Sequence, residues 1–173
     1  LKERFVSAGL VYADRVLVRD AVSAVDVPSF RRAAMDGWAV VAADTFGASA
    51  YDPRTLTVRG ESMPGQAFEA SVAPGSACRI MTGAPVPDGA DAVLPAELGD
   101  ERDGRLEVHD AVPPGKHVGR VGEDVRTGDV LLTAGRVLRP QDVGLLASVG
   151  VGAVDVIVRP RVRIVVTGNE LLP

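Results

Sequence analysis

The fold class is decided by one stretch of the sequence, Ala77-Cys78-Arg79-Ile80-Met81-Thr82-Gly83-Ala84-Pro85-Val86-Pro87-Asp88-Gly89-Ala90-Asp91-Ala92-Val93-Leu94. Two short runs rich in apolar residues, at 77–81 and 92–94, flank a segment rich in glycine and proline. The Pro87-Asp88-Gly89 sequence is typical of a turn, because proline fixes φ and glycine accepts positive φ. The stretch therefore predicts two short strands separated by turns.

Similar signals extend outward in both directions. A strand is predicted at Leu56–Val58, and Asp103-Gly104 predicts a hairpin that joins 92–97 to 105–108. A second hairpin is predicted around Ala134-Gly135, between 130–132 and 136–138. Valine is the most frequent residue, and 19 glycines and 12 prolines punctuate the chain. Because β-branched side chains favour strands, this composition indicates a β-rich fold.

The clearest helix signal begins at Pro140, which suits a first helical turn, and ends at Gly150, which suits a left-handed C-terminal position. Alternating valines then predict strands at 153–158 and 161–166. The sequence as a whole predicts an α+β fold that is mainly β. It begins without methionine or a capping residue, so we expect a truncated start.

Composition excludes several classes of protein. The 173 residues are 46% hydrophobic and 24% charged, which excludes a disordered or low-complexity chain. A net charge of −4 gives no general electrostatic basis for nucleic-acid binding. The single cysteine excludes an internal disulfide, and no apolar run approaches the roughly 18 residues of a membrane helix. We expect a cytoplasmic protein that binds neither nucleic acid nor membrane.

Polar residues among small ones mark four candidate sites. Asp36, before Gly37, fits a turn that bonds its own backbone, which spacing alone favours, or a carboxylate presented to a metal or leaving group. Thr82-Gly83 fits a plain strand end, again favoured, or a hydroxyl with backbone N–H groups for an oxyanion. Glu123-Asp124 fits a solvated pair or oxygen ligands for Mg²⁺. The fourth site is Glu170, just beyond the last predicted strand.

Other reactive residue types give weaker signals. His109 and His117 lack metal-ligand spacing, so we expect them on the surface. Cys78 and Trp38 are expected to pack in the core rather than to react or to stack on a ligand.

In their order along the chain, these segments resemble the molybdopterin molybdenumtransferase family, which includes the bacterial MoeA proteins and the E domain of gephyrin. The resemblance runs from about Arg15 to Pro173. It rests on the motifs 26–28, 34–40, 79–85, 89–93, 122–125, 145–150, 159–162 and 167–171. The most specific combination is Ala34-Met35-Asp36-Gly37 followed by Met81-Thr82-Gly83-Ala84-Pro85.

The resemblance implies a divided architecture. Residues 1–40 and 117–160 would form a split N-terminal module, 41–116 an inserted β-rich domain, and 161–173 the first strand of a molybdopterin-binding α/β domain. It also implies a homodimer whose active site is shared between subunits.

The implied reaction inserts molybdate into adenylylated molybdopterin and releases AMP in a Mg²⁺-dependent cleavage. The resemblance assigns Asp36, Thr82, Asp124 and Glu170 to the active site. Asp36 and Asp124 would position the metal or water, and Thr82 would serve an oxyanion or orient backbone. Gly83 and Gly168 would bind the ligand through backbone. We expect residues 1–173 alone to be inactive.

The sequence departs from the family pattern at three places. Arg31-Arg32-Ala33 stands where Asp-Asn-Ser is usual, Asn169 where Asp is frequent, and Ala96 where Gln is usual. The first departure replaces a carboxylate with two positive charges. It leaves open the alternative of a non-catalytic scaffold or assembly module of the gephyrin type.

Overall fold

The computed structural model describes residues 14–165 and 167 in full and residues 2–6 as backbone. The chain divides into two compact units, one of residues 1–24 and 127–173, and one of residues 25–126. We call them the terminal unit and the central unit. No helix among the described residues is long and apolar enough to cross a membrane.

The described residues are mainly β, with one α-helix, as the sequence predicts. The α-helix is α1 (Pro140–Ser148), and short 3₁₀ turns occupy Ala42–Thr45 and Ala96–Leu98. The strands in chain order are β1 (Lys2–Val6), β2 (Ala21–Val22), β3 (Arg32–Ala33), β4 (Gly37–Val40), β5 (Arg54–Ser62), β6 (Ser76–Ile80), β7 (Ala92–Pro95), β8 (Gly99–Arg102), β9 (Arg105–Val108), β10 (Val118–Gly119), β11 (Val130–Leu132) and β12 (Ala153–Ile157).

A six-stranded sheet forms the central unit, with strand order β7-β4-β6-β5-β9-β8. Only the β5–β6 pair is parallel; the other neighbours are antiparallel. Strand β4 lies between β7 and β6 and is buried at Trp38, Ala39 and Val40. Because successive side chains of a strand point to opposite faces, β4 supplies core residues to both sides of the sheet.

The two faces of this sheet pack into separate hydrophobic clusters. Trp38, Val40 and Leu94 belong to one cluster, and Ala39 and Val93 belong to the other. Burial on both faces explains why 92–94 is a continuous apolar run rather than an alternating one. A separate pairing of β3 with β10 joins the two ends of the central unit's chain.

The terminal unit is built from paired short strands and the helix. Strand β1 pairs with β12, and β2 pairs with β11, both antiparallel. Its hydrophobic cluster includes Leu17, Leu138, Leu146 and Val156. Gly150 has φ of 73°, which confirms the predicted left-handed position after the helix.

Local strand predictions are confirmed where the apolar pattern is strong, and the predicted pairings are wrong in two places. The Asp103-Gly104 turn joins β9 to β8, rather than to residues 92–97, because those residues pair with β4. The hairpin predicted around Ala134-Gly135 does not form. Instead β11 pairs with β2, and Val137 forms a bridge with Val16.

The strand predicted at 161–166 is not observed in its described part. Residues 161–165 are outside any strand, and the side chains of Val162 and Ile164 are 80% and 84% exposed. Residue 166 lies outside the described residues. The division of the chain at 40/41 and 116/117 stays a prediction; the compact units divide at 24/25 and 126/127.

Asp142 stabilises the start of α1 and makes the stability of the terminal unit depend on pH. Its carboxylate accepts hydrogen bonds from Arg136 Nε at 2.9 Å and Nη2 at 2.8 Å, and from the Arg139 backbone N–H at 3.0 Å. Hydrogen bonding by Arg136 is the main cause that lowers the pKa of Asp142. The ionised carboxylate therefore stabilises the fold fully at pH values above its unfolded pKa of about 4. This stabilisation is lost as the pH falls through the lower pKa that Asp142 has in the folded protein.

We expect Asp142→Ala to lower the free energy of unfolding by about 2 kcal/mol at neutral pH, because it removes a capping carboxylate and a charged hydrogen-bond acceptor. Chemical denaturation followed by far-UV circular dichroism measures the change. Gln141→Ala, at an exposed position in the same helical turn, is the matched control. An equal stability of the two variants at neutral pH would contradict the assigned role of Asp142.

Candidate functional site

Asp36 and Thr82 are brought together by strand register. Asp36 immediately precedes β4, and Thr82 follows β6 by two residues. The two strands are antiparallel neighbours in which Gly37 lies opposite Ile80. The start of one strand therefore lies beside the end of the other, and two residues 46 positions apart in sequence come into contact.

The contact consists of two hydrogen bonds to a single carboxylate oxygen. Asp36 Oδ1 accepts one from the Thr82 backbone N–H at 2.7 Å and one from the Thr82 hydroxyl at 2.7 Å. These donors, the backbone N–H first, lower the pKa of Asp36. Asp36 is exposed, and within the described part of the chain its Oδ2 has no hydrogen-bond partner. The arrangement holds a carboxylate ionised and presents one oxygen outward.

We expect Thr82→Val to raise the pKa of Asp36 toward its ordinary value without fully restoring it, because the backbone N–H remains a donor. A pH titration of the Asp36 carboxyl carbon by NMR measures the change. Thr82→Ser keeps the hydroxyl and serves as the control, with a pKa close to that of the wild type. A pKa that Thr82→Val leaves unchanged would show that the hydroxyl does not act on Asp36.

The backbone donors of the Thr82 segment are engaged within the fold. Thr82 donates to Asp36, the Gly83 N–H donates to the Ala33 carbonyl at 2.8 Å, and the Ala84 N–H donates to the Met81 carbonyl at 2.9 Å. Of the two roles predicted for Thr82, these contacts favour orientation over donation to an oxyanion. The site roles of Thr82 and Gly83 stay predictions.

Asp124 is held by a different partner. Arg32, in β3, lies beside the segment that follows β10 because these two strands pair with Arg32 opposite Gly119. Arg32 Nη2 contacts Asp124 Oδ2 at 3.2 Å, with both side chains partly exposed. The Asp124 backbone N–H donates to the Val27 carbonyl at 2.9 Å. Asp124 therefore forms an ion pair with an arginine of β3.

Two observations bear on the Mg²⁺ site predicted at Asp36 and Asp124. Among the described residues no group of three or more His, Cys, Asp and Glu side chains is arranged to hold a metal ion. The guanidinium of Arg32 already places a positive charge against Asp124, and it would repel a divalent cation at the same oxygen. The assignment of Mg²⁺ to these residues stays a prediction.

Asp36 and Thr82 each line a different depression. One, of about 240 Å³, is mainly apolar and is lined by Asp36, Trp38, Met63 and Met81 among others. The other, of about 400 Å³, is lined by Thr82 together with Arg32 and residues near β10. Asp36 thus borders the first depression, and the threonine that holds it borders the second.

A charged network, missed in the sequence, closes one wall of the apolar depression. Glu101 accepts hydrogen bonds from Trp38 Nε1 at 2.9 Å and from Arg79 Nε at 2.7 Å, and it also pairs with Arg79 Nη2. Hydrogen bonding by Arg79 is the main cause that lowers the pKa of Glu101. Arg79 lies in the quoted motif, but no local signal connects it to Glu101, which lies 22 residues further along the chain.

The remaining sequence predictions have mixed outcomes. Cys78 is fully buried, and burial is the main cause that raises the pKa of its thiol to about 11, which confirms a core role. Trp38 is 9% exposed and belongs to the core, as predicted. Glu170 and Gly168 lie outside the described residues, so their roles stay predictions.

Comparison with known proteins gives a consistent result for this chain. The sequence model described as the MoeA N-terminal region (domain I and II) matches residues 2–150. The chain is 41% identical over 156 residues to molybdopterin molybdenumtransferase 2 of Mycobacterium tuberculosis, covering 90% of this chain and 38% of the relative. It is 38% identical to the molybdopterin molybdenumtransferase of Haemophilus influenzae, covering 92% and 39%.

Comparison with solved structures agrees with the sequence comparison. The crystal structure of the molybdopterin biosynthesis MoeA protein from Pyrococcus horikoshii OT3 superposes with a TM-score of 0.84 at 39% identity, covering 92% of this chain and 42% of that one. The chain therefore spans about two fifths of the length of these relatives. The family model covers most of the chain, and the fold agrees with it, so this chain belongs to the MoeA family and corresponds to its N-terminal region.

Proposed function

We propose that the chain is the N-terminal part of a molybdopterin molybdenumtransferase, which inserts molybdate into adenylylated molybdopterin and releases AMP during molybdenum cofactor biosynthesis. Membership of the MoeA family and the names of the relatives support this proposal. The homodimer that the resemblance implies and the cytoplasmic location expected from the composition stay predictions.

The observation that carries the proposal is the double hydrogen bond from Thr82 to Asp36. It stabilises the ionised form of Asp36 and holds the carboxylate in one position. A fixed carboxylate can accept a hydrogen bond from a bound water or from a donor on the substrate, and a lowered pKa suits this role better than that of a proton acceptor. We assign Asp36 this acceptor role and Thr82 the role of positioning it.

Asp124 has a different role in this proposal. Because its carboxylate is paired with Arg32, it acts by holding that guanidinium at the edge of the site. Gly83 contributes backbone that lines the same depression as Arg32 and Thr82.

We also propose that residues 1–173 do not perform the reaction alone. The relatives that carry the transferase name are about two and a half times as long as the matched region, so most of their length has no counterpart here. Glu170 and Gly168 would then contribute to the site together with residues supplied by the rest of such a protein.

The proposal is tested in a bacterial strain that lacks molybdopterin molybdenumtransferase. We expect the whole gene that encodes this chain to restore the activity of a molybdoenzyme, and a gene fragment limited to residues 1–173 to leave it absent. Immunoblots confirm that both products accumulate. A whole gene that is expressed but does not restore the activity would refute the proposed function. A fragment that restores the activity would show that residues 1–173 perform the reaction without the rest of the encoded protein.

A further inference from the structure

The depression beside Thr82 has a basic residue, Arg32, where the resemblance predicts a neutral asparagine. It is about 400 Å³ in volume and is lined by residues of β3, β10 and the segments that carry Thr82 and Glu123. Arg32 lies in its wall and is 38% exposed.

Most hydrogen-bond donors of Arg32 remain available. A guanidinium carries five N–H donors in a planar fork. The contact that the structure gives to this one is the single bond from Nη2 to Asp124. Within the described part of the chain, the other donors have no hydrogen-bond partner, so they are free to bind a ligand in the depression.

Arg32 is held in position by close packing as well as by Asp124. Gly119 lies opposite Arg32 in the pairing of β3 with β10. A Cβ atom at Gly119 would lie 3.1 Å from Arg32 Cγ and 2.9 Å from Glu123 Oε2. The arginine stem therefore crosses directly over the Gly119 backbone, and the absence of a side chain there makes room for it.

The depression is lined by one arginine, Arg32, and one carboxylate, Glu123, and basic residues are in excess in the two segments that form most of it. The two segments that meet here, 25–34 and 116–126, carry five basic residues against three acidic ones, while the whole chain has a net charge of −4. Glu123 lines the depression and opposes an anion, and one of its carboxylate oxygens accepts the Arg120 backbone N–H at 3.3 Å. The two segments carry a formal net charge of +2, so the anion-binding donors in the depression itself come from the guanidinium of Arg32.

We propose that this depression binds a tetrahedral oxyanion, either a phosphate group or molybdate, through the guanidinium of Arg32, with Asp124 as its positioning residue. The inference rests on the proposed function in naming these two oxyanions. Because Thr82 and Gly83 donate their hydrogens within the fold, Arg32 supplies the donors for the anion. Planar guanidinium donors match the oxygen spacing of such anions.

The test uses the 173-residue chain in metal-free buffer. Inorganic phosphate and molybdate are titrated separately while the amide signals of Gly83 and Gly119 are followed by NMR. We expect saturable shifts with at least one anion and a loss of affinity of about 10-fold in Arg32→Ala, since a charged hydrogen bond contributes about 1.5 kcal/mol. Arg32→Lys should retain part of the affinity because it keeps the charge.

Arg59→Ala is the matched control, because Arg59 is an exposed arginine of β5 outside the depression, and it should bind as the wild type does. Saturation by phosphate alone identifies a phosphate group as the ligand, and saturation by molybdate alone identifies the metal oxyanion. Saturation by both anions supports a site that binds tetrahedral oxyanions in general. Absence of binding by either anion, or equal affinity in folded Arg32→Ala, overturns the proposal.

The binding test and the genetic test can fail separately. If the whole gene restores the molybdoenzyme but Arg32→Ala keeps its affinity, only the oxyanion site is refuted. If the chain binds an oxyanion through Arg32 but the whole gene restores nothing, the transferase assignment is refuted and the site remains.

Discussion

Replacing Gly37 with alanine is expected to lower the free energy of unfolding by about 3 kcal/mol or more, which places it among the most damaging single substitutions in the central unit. Gly37 opens β4 with φ of 151° and lies directly before the buried residues of that strand. A Cβ atom there would lie 1.9 Å from the Leu94 carbonyl oxygen and 2.9 Å from the Ala96 backbone nitrogen. Both are backbone atoms, so no side-chain rotation relieves the overlap.

The same substitution should disturb the candidate site. The Ala96 N–H donates to the Asp36 carbonyl at 3.0 Å, so a shift of Ala96 moves the residue that carries the site carboxylate. Urea denaturation followed by Trp38 fluorescence measures the loss of stability, and the Asp36 carboxyl signal reports the displacement.

Gly65→Ala is the control for this prediction. Gly65 also has positive φ, at 83°, but an added Cβ would have no atom within 4 Å. Only backbone strain then opposes alanine, with a cost of about 1 kcal/mol. Equal destabilisation by the two substitutions would show that the contact with Leu94 does not decide the requirement for glycine at position 37.

The second large effect is on activity. We expect Asp36→Ala to reduce molybdenum insertion by the whole gene product by about 100-fold, since a hydrogen bond to a charged acceptor contributes about 1.5 to 3 kcal/mol. Asp36→Asn should be similarly impaired, although its amide oxygen can still accept the Thr82 hydrogen bonds. The pair of variants therefore separates the charge of the carboxylate from its structural contact.

Asp88→Ala is the matched control for Asp36→Ala, since Asp88 is an exposed aspartate in the turn after the Thr82 segment. We expect it to keep the activity of the wild type. Circular dichroism shows whether each variant is folded. Wild-type activity in a folded Asp36→Ala protein would remove Asp36 from the site.

Strands with strong local signals could be predicted from the sequence, and their partners often could not. The apolar runs at 56–58, 77–81 and 92–94 fall in β5, β6 and β7. Strand β8 was missed because Gly99-Asp100-Glu101-Arg102 is polar and lacks an alternating apolar pattern. Turn signals indicate where a chain reverses, but long-range pairing decides which strand is adjacent, as the β11–β2 pair shows.

In the candidate site too, local motifs identify the residues but not their contacts. Asp36 and Thr82 could be identified from their motifs, yet only the register of β4 against β6 brings them into contact. The Arg32–Asp124 pair joins residues 92 positions apart and depends on the two-residue pairing of β3 with β10. The sequence marked Arg31-Arg32 as a departure, but the partner of Arg32 could not be derived from local pattern.

We propose that this chain is part of an enzyme that inserts molybdenum into molybdopterin. The most direct measurement supplies the purified whole gene product with adenylylated molybdopterin and molybdate, and follows both AMP release and reconstitution of an apo-molybdoenzyme. The relative from Mycobacterium tuberculosis, assayed in parallel, provides a reference preparation. We predict molybdate-dependent AMP release accompanied by active molybdoenzyme. Neither product, in a preparation that is folded and under conditions where the reference is active, would contradict the claim.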